Sequence, residues 1–152
     1  MKKPLLILTL LFLFPLFGLS QNEKKPKNYI SIGLFDSKTG LSAIGYTRSI
    51  LQNKNNELFI GFGSMLALNT VVAGYKKYLF RSFIDGYSVI SVQNIFGLGG
   101  DSDATCLSIG VEKKIWKIFF INAGGKIYVI KDEDFLDGDF LAFPFLNINI
   151  RF

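Results

Sequence analysis

Histidine is absent from the 152 residues, cysteine occurs once and proline four times. Without an imidazole there is no Ser-His-Asp triad, no Cys/His zinc site and no histidine acid-base chemistry. A single thiol, Cys106, excludes an intramolecular disulfide. Charge of neither sign dominates: Lys and Arg number 17 against 12 Asp and Glu. Without Lys2 and Lys3, 15 cations face 12 anions, and an excess of +3 does not make a nucleic-acid surface. Past residue 28 no apolar run approaches the roughly 18 residues of a membrane-spanning helix. What the chain has in quantity is apolar side chain, 49% of residues with 16 Phe among them, at a mean hydropathy of +0.33. That excludes a disordered chain and exceeds what a small soluble domain usually carries.

Residues 1–20 read as a removable secretory signal peptide. Lys2 and Lys3 form a cationic start, residues 5–17 an apolar stretch, and Gly18 and Ser20 place small residues before a cut ahead of Gln21. As a helix that stretch rises about 20 Å, short of the ~30 Å hydrocarbon core. Residues 21–27 follow as a polar linker, and residues 28–152 form one domain.

In this domain the dominant period is two. The pattern predicts strands over 28–36, 41–50, 57–65, 70–80, 87–96, 104–113, 116–130 and 139–152, separated by turn-forming stretches. The least marked hairpin is the one over 65–69, where Asn69 alone favours a turn. One face of these strands collects Ile32, Leu34, Ile44, Ile60, Phe62, Val71, Ile90, Val92, Leu107, Ile109, Ile121, Leu146 and Ile148. The other collects Ser31, Gly33, Gly45, Thr47, Gly61, Gly63, Gly74, Ser91, Ser108, Gly110, Glu112, Asn122, Lys126, Asn147, Asn149 and Arg151. Glycine inside a strand costs stability, so its recurrence on one face requires a reason. A solvated face would carry Lys, Glu, Thr and Arg, whereas small polar residues suit a crowded interior.

The expected fold class is therefore all-β: a closed, antiparallel, up-and-down transmembrane β-barrel of about eight strands, apolar outside and polar within. Strands of nine to eleven residues tilted near 45° span roughly 20 to 25 Å, the height of an apolar lipid band. Closure leaves no unpaired edge in hydrocarbon. At eight strands the interior is filled by side chains rather than open. Glu112, Lys126 and Arg151 share the interior parity and are expected to form a mutually satisfied charge cluster.

The chain stops at Phe145-Leu146-Asn147-Ile148-Asn149-Ile150-Arg151-Phe152, alternating up to a terminal aromatic. This resembles the C-terminal assembly signal of bacterial outer-membrane β-barrel proteins. With the leader and strand count, the chain resembles small eight-stranded members of that class, of the OmpX and OmpA-barrel kind. The resemblance implies an outer-membrane location and recognition of the last strand by the barrel-assembly machinery, with Ile148, Ile150 and Phe152 on the matching positions. It departs from the pattern at Ile150, where an aromatic is frequent. It departs again at Pro144, which removes a ladder donor and suggests a bulge or the lipid boundary.

With both termini on the inner side, the external loops are expected near 37–40, 67–69, 97–103 and 131–138. Acidic residues then gather outside, from Asp101 and Asp103 to the run over 132–139, and Lys54, Arg81, Lys113, Lys114 and Lys117 lie at the inner turns. The acidic run lacks the ligand spacing of an EF-hand and reads as a solvated loop. Gly97-Leu98-Gly99-Gly100 has no helix after it to hold a phosphate and reads as a hairpin turn. Cys106, with no histidine to activate it, reads as a small interior filler. Trp116, Tyr46, Tyr75, Tyr78, Tyr87 and Tyr128 read as girdle or interior packing.

The expected function is that of a non-enzymatic, monomeric barrel with a packed polar interior, a structural or surface-interaction role, and no cofactor or metal. Its partners are outer-membrane lipid and the assembly machinery, with no nucleic acid. The rivals are an exported soluble barrel holding an apolar ligand, and an envelope lipid-modifying enzyme, which by resemblance would use a histidine that this chain lacks.

Overall fold

The computed structural model describes residues 26–97, 100–131 and 140–152, with the backbone alone at 130 and 131. The leader, most of the linker, Leu98, Gly99 and the acidic run at 132–139 lie outside the described residues. The described part is all β: β1 (Asn28–Leu34), β2 (Ile44–Gln52), β3 (Asn56–Met65), β4 (Leu68–Phe80), β5 (Asp85–Gly97), β6 (Gly100–Lys114), β7 (Phe119–Lys131) and β8 (Phe140–Arg151). Each strand pairs antiparallel with the next, and β8 returns to β1 to close the barrel. The seam pairs Ile30 with Ile150 and Ile32 with Ile148. It is finished by Asn28 and Phe152, which exchange backbone hydrogen bonds of 3.1 and 3.0 Å. Closure leaves no sheet edge among the described strands, so the ladder satisfies the backbone groups an open sheet would expose.

Alternation carries through every wall. Ile44, Val92, Ile109 and Leu146 project outward and are about 60% exposed, while Ser31, Thr47, Ser91, Ser108, Asn122 and Asn147 are buried. The faces assigned from the alternation are thus the faces of the barrel. Register breaks among the described pairings occur at Ser49/Leu51 and Tyr78/Phe80. Pro144 is not at a bulge: β8 pairs evenly with β7 there, Pro144 opposite Gly125. On its other side β8 has already outrun β1, whose last pair is Leu34 with Leu146, so no ladder donor is lost toward β1.

The β3–β4 and β5–β6 hairpins differ from their expected form. The β3–β4 hairpin turns through Leu66 and Ala67 alone, with Leu66 in the left-handed region (φ 53°) and fully exposed. Its turn signal is weak because a leucine occupies a position that glycine or asparagine would ordinarily take. Between β5 and β6 the ladder continues to the pair Gly97 with Gly100, so Asp101 and Asp103 belong to a strand and not to a loop.

Candidate functional site

The largest departure from expectation is the β1–β2 connection. Residues 37–40, expected as an external loop, are all buried together with Asp36, expected as the end of the first strand, and Thr39 is fully inaccessible. After Phe35 (φ 58°) the chain turns back into the barrel. It makes a single turn closed by the Gly40 N–H donating to the Asp36 carbonyl at 3.1 Å, and leaves through Gly40 (φ 77°). This segment is a plug seated among the interior side chains.

A buried loop must find partners for its backbone polar groups, which is why loops usually stay on the surface. Here the wall supplies them. Lys126 Nζ on β7 donates to the carbonyl oxygens of Gly40 (2.7 Å) and Asp36 (3.3 Å). Thr70 on β4 donates to the Thr39 carbonyl at 2.9 Å. The Asp36 carboxylate accepts from the Lys38 N–H, and Ser37 meets the Tyr87 hydroxyl. Lys38 Nζ donates to Glu57 Oε1 on β3 at 2.6 Å and lies 4.1 Å from the centroid of the Tyr29 ring.

The plug explains three of the interior glycines: a Cβ on Gly45 would collide with the Thr39 side chain. A Cβ on Gly61 would collide with the Lys38 carbonyl oxygen, and one on Gly63 with the Thr39 carbonyl and the Ser42 side chain. The plug backbone lies directly against β3, at a separation only glycine permits. Gly125, on the outward face, has open space where a Cβ would stand.

Below the plug lies an ion network. Glu112 on β6 accepts from Lys76 Nζ, Arg151 and the Tyr78 hydroxyl, each at 2.6 Å. Lys76 on β4 is 1% exposed and pairs in register with Glu57, the carboxylate that holds Lys38 and also accepts from Ser49. Lys76 stands 3.7 Å from the centroid of the Tyr87 ring, and Arg151 is 3.6 Å from that of Phe120. A buried charge is tolerable only when paired and hydrogen-bonded, and Glu57 and Glu112 are each met by a cation.

Of the three residues expected to cluster, the structure brings together Glu112 and Arg151. Lys126 is separate: it binds plug carbonyls rather than Glu112. The alternation that places these three inward equally places Lys76, Glu57 and Phe59 inward, yet lysine and glutamate beside turns read as surface residues. Lys38 and Asp36 carry no signal at all, since nothing local marks a loop as buried.

Ile148 and Phe152 are exposed and Ile150 half-buried, all on the outward face of the last strand and its end. Cys106 is fully buried, 3.6 Å from the Ser108 hydroxyl. Among the described residues no group of His, Cys, Asp and Glu is placed to hold a metal ion. Tyr29, Tyr78, Tyr87 and Tyr128 pack inside, while Tyr46, Tyr75 and Trp116 point outward. Grooves of about 420 and 600 Å³ lie on the wall, where Ala73, Gly125 and Ala142 leave gaps.

Fold and interior together define a closed eight-stranded up-and-down barrel with an internal plug. No family model, curated protein or solved structure matches the chain.

Proposed function

We propose that this protein is a non-enzymatic integral outer-membrane barrel whose apolar wall faces lipid and whose interior is sealed by its own first loop. The observation that carries the reading is inverted polarity. Among the described residues seven buried side chains are charged, Asp36, Lys38, Glu57, Lys76, Glu112, Lys126 and Arg151, while the outward face is a nearly continuous apolar surface. A soluble protein rarely exposes an apolar patch beyond a few hundred Å². A barrel in lipid requires one around its whole circumference. A soluble carrier of an apolar ligand would need the opposite arrangement, an apolar interior with room in it. The leader and the alternating C-terminal run ending at Phe152 support export and assembly in the outer membrane, with both termini periplasmic.

Sealing of the interior supports a structural or surface-interaction role over passage of solutes, because the plug and the ion network occupy the space a channel would need. The test is fractionation of the expressing cell followed by gel migration with and without heating. The expected result is recovery with outer membranes, a need for detergent, and a faster-migrating unheated form. A chain that remains soluble after leader removal would sink the proposal.

A further inference from the structure

The two chain ends of the barrel and the turns at 53–55, 81–84 and 115–118 meet at one end. Periplasmic turns of a membrane barrel are ordinarily short and polar. Here the second and third are apolar and basic: Phe83 is 77% exposed and Trp116 66%, with Ile84, Ile115 and Ile118 exposed beside them. Between these stand Arg81, Lys114 and Lys117, all exposed, and Lys113. The two turns are neighbours because β5 pairs with β6, and Lys113 Nζ bridges them, 3.8 Å from the Phe83 ring centroid. Asp85, the carboxylate that closes the first of these turns, already accepts from the Ser82 N–H at 3.1 Å. The patch is thus four cations on an apolar bed, with the adjoining anion engaged.

The wall beside it is graded in the same sense. Tyr46 and Tyr75 lie outward with their hydroxyls donating to Asn28 (2.9 Å) and Asn56 (2.8 Å) at this end. Two residues further along the same outward faces stand Arg48 and Lys77. Toward the opposite end the outward face carries Asn94 and Asp103, hydrogen-bonded at 3.0 Å, and beyond them the pair Phe96 and Asp101.

We propose that this end of the barrel is immersed in the headgroup layer of an anionic phospholipid leaflet, with Arg81, Lys113, Lys114 and Lys117 taking the phosphates and Phe83 and Trp116 anchoring beside them. The inference rests on the membrane reading above and adds the lipid class and the residues that select it. Clustered cations at a membrane surface attract acidic lipid, and aromatic rings settle at the headgroup level. The apolar residues of the turns run on into the apolar wall, so the surface that covers them is the one that covers the wall. A lipid leaflet provides that continuity, which a discrete acidic protein docked on the turns does not.

Trp116 is the single tryptophan and reports on this site directly. The full mature chain is refolded into phosphatidylcholine nanodiscs carrying, at equal mole fraction, brominated phosphatidylglycerol or brominated phosphatidylcholine, and Trp116 emission is measured. The expected result is roughly twofold stronger quenching by the anionic lipid. The preference is lost at high salt, and lost in the variant combining Arg81→Gln, Lys113→Gln, Lys114→Gln and Lys117→Gln. Equal quenching by the two lipids, or a preference that survives high salt, overturns the proposal, and the salt arm needs no variant to fold. Quenching by neither lipid in a chain that still requires the disc also overturns it, and leaves these turns to a periplasmic protein. A chain that needs no disc at all would instead overturn the membrane reading.

Discussion

The ammonium of Lys126 lies 2.7 Å from the carbonyl oxygen of Gly40, a contact that crosses the barrel interior from β7 to the loop between β1 and β2. The same ammonium reaches the Asp36 carbonyl, so Lys126 ties together the two ends of the turn that makes the plug. Lys126→Met leaves the buried Gly40 carbonyl without this donor, at a cost of roughly 1 to 3 kcal/mol. The expected outcome is faster hydrogen exchange at the Gly40 amide in the refolded protein, with the seam amides of β1 and β8 unchanged. Exchange that rises equally throughout would mean that Lys126 supports the barrel as a whole and not the plug.

Gly61 and Gly63 test the plug from the opposite wall. Gly61→Ala drives a Cβ into the Lys38 carbonyl, and overpacking of this kind costs typically about 1 to 3 kcal/mol. Expelling the plug exposes the Lys38 peptide bond, so trypsin should cut after Lys38 in the folded variant and leave that bond intact in the wild type. Gly125→Ala, with nothing near its added methyl, is the control and should behave as wild type. If both alanine variants resist cleavage after Lys38 alike, the plug does not depend on close approach to β3.

The separation of Lys126 from Glu112 is checked by double-mutant cycles in chemical denaturation. Glu112→Gln strands Lys76 and Arg151 and should cost about 3 to 5 kcal/mol. Combined with Arg151→Gln it should show strong coupling, since the two share a hydrogen bond. Combined with Lys126→Gln it should be additive within ~0.5 kcal/mol, because Lys126 bonds to the plug and Glu112 to Lys76, Tyr78 and Arg151. Coupling of similar size in both cycles would restore a single three-residue cluster.

The membrane reading predicts asymmetry between faces. Ile60 projects outward from the middle of β3, and an arginine there costs roughly 2 to 4 kcal/mol at the bilayer midplane. Ile60→Arg should depress insertion into lipid vesicles, and Ile60→Leu should not. Equal insertion of both would show that this face does not meet lipid.

Phe152 separates recognition from packing. Its backbone closes the seam with Asn28 and its side chain is exposed, so removing the ring takes little from the folded barrel. Phe152→Ala should refold almost normally in detergent yet accumulate poorly in the outer membrane of cells. Equal recovery in both settings would remove the argument for an assembly signal.

The strands, their number and their two faces were legible in the residues because a β-strand writes its environment with a period of two. Leu107, Ile109 and Val111 alternate with Ser108, Gly110 and Glu112, and the first set lies outward and the second inward, as the pattern implies. Strand ends were legible within a few residues for the same reason. The 65–69 hairpin and the 97–103 stretch were less so, since Leu66 is a poor turn signal and Asp101 and Asp103 resemble loop residues while pairing in a ladder. The interior site was legible only in part. Parity brought Glu112, Lys126 and Arg151 inward, but parity says nothing of height or azimuth within a closed barrel.

By itself, the sequence determined that this chain is all β, that its glycine, serine and asparagine line one face, and that this face is the crowded one. These follow from local alternation and the cost of glycine in a strand, which neighbouring residues alone express. Only the tertiary structure decided that Asp36 to Gly40 fold inward, that Gly61 and Gly63 leave room for the Lys38 and Thr39 carbonyls, and that Lys76 joins Glu112 where Lys126 does not. Each of those contacts joins residues on different segments across a closed interior, in the case of Lys126 and Asp36 separated by 90 positions of chain. No local pattern records which side chain of one wall will meet which loop from another.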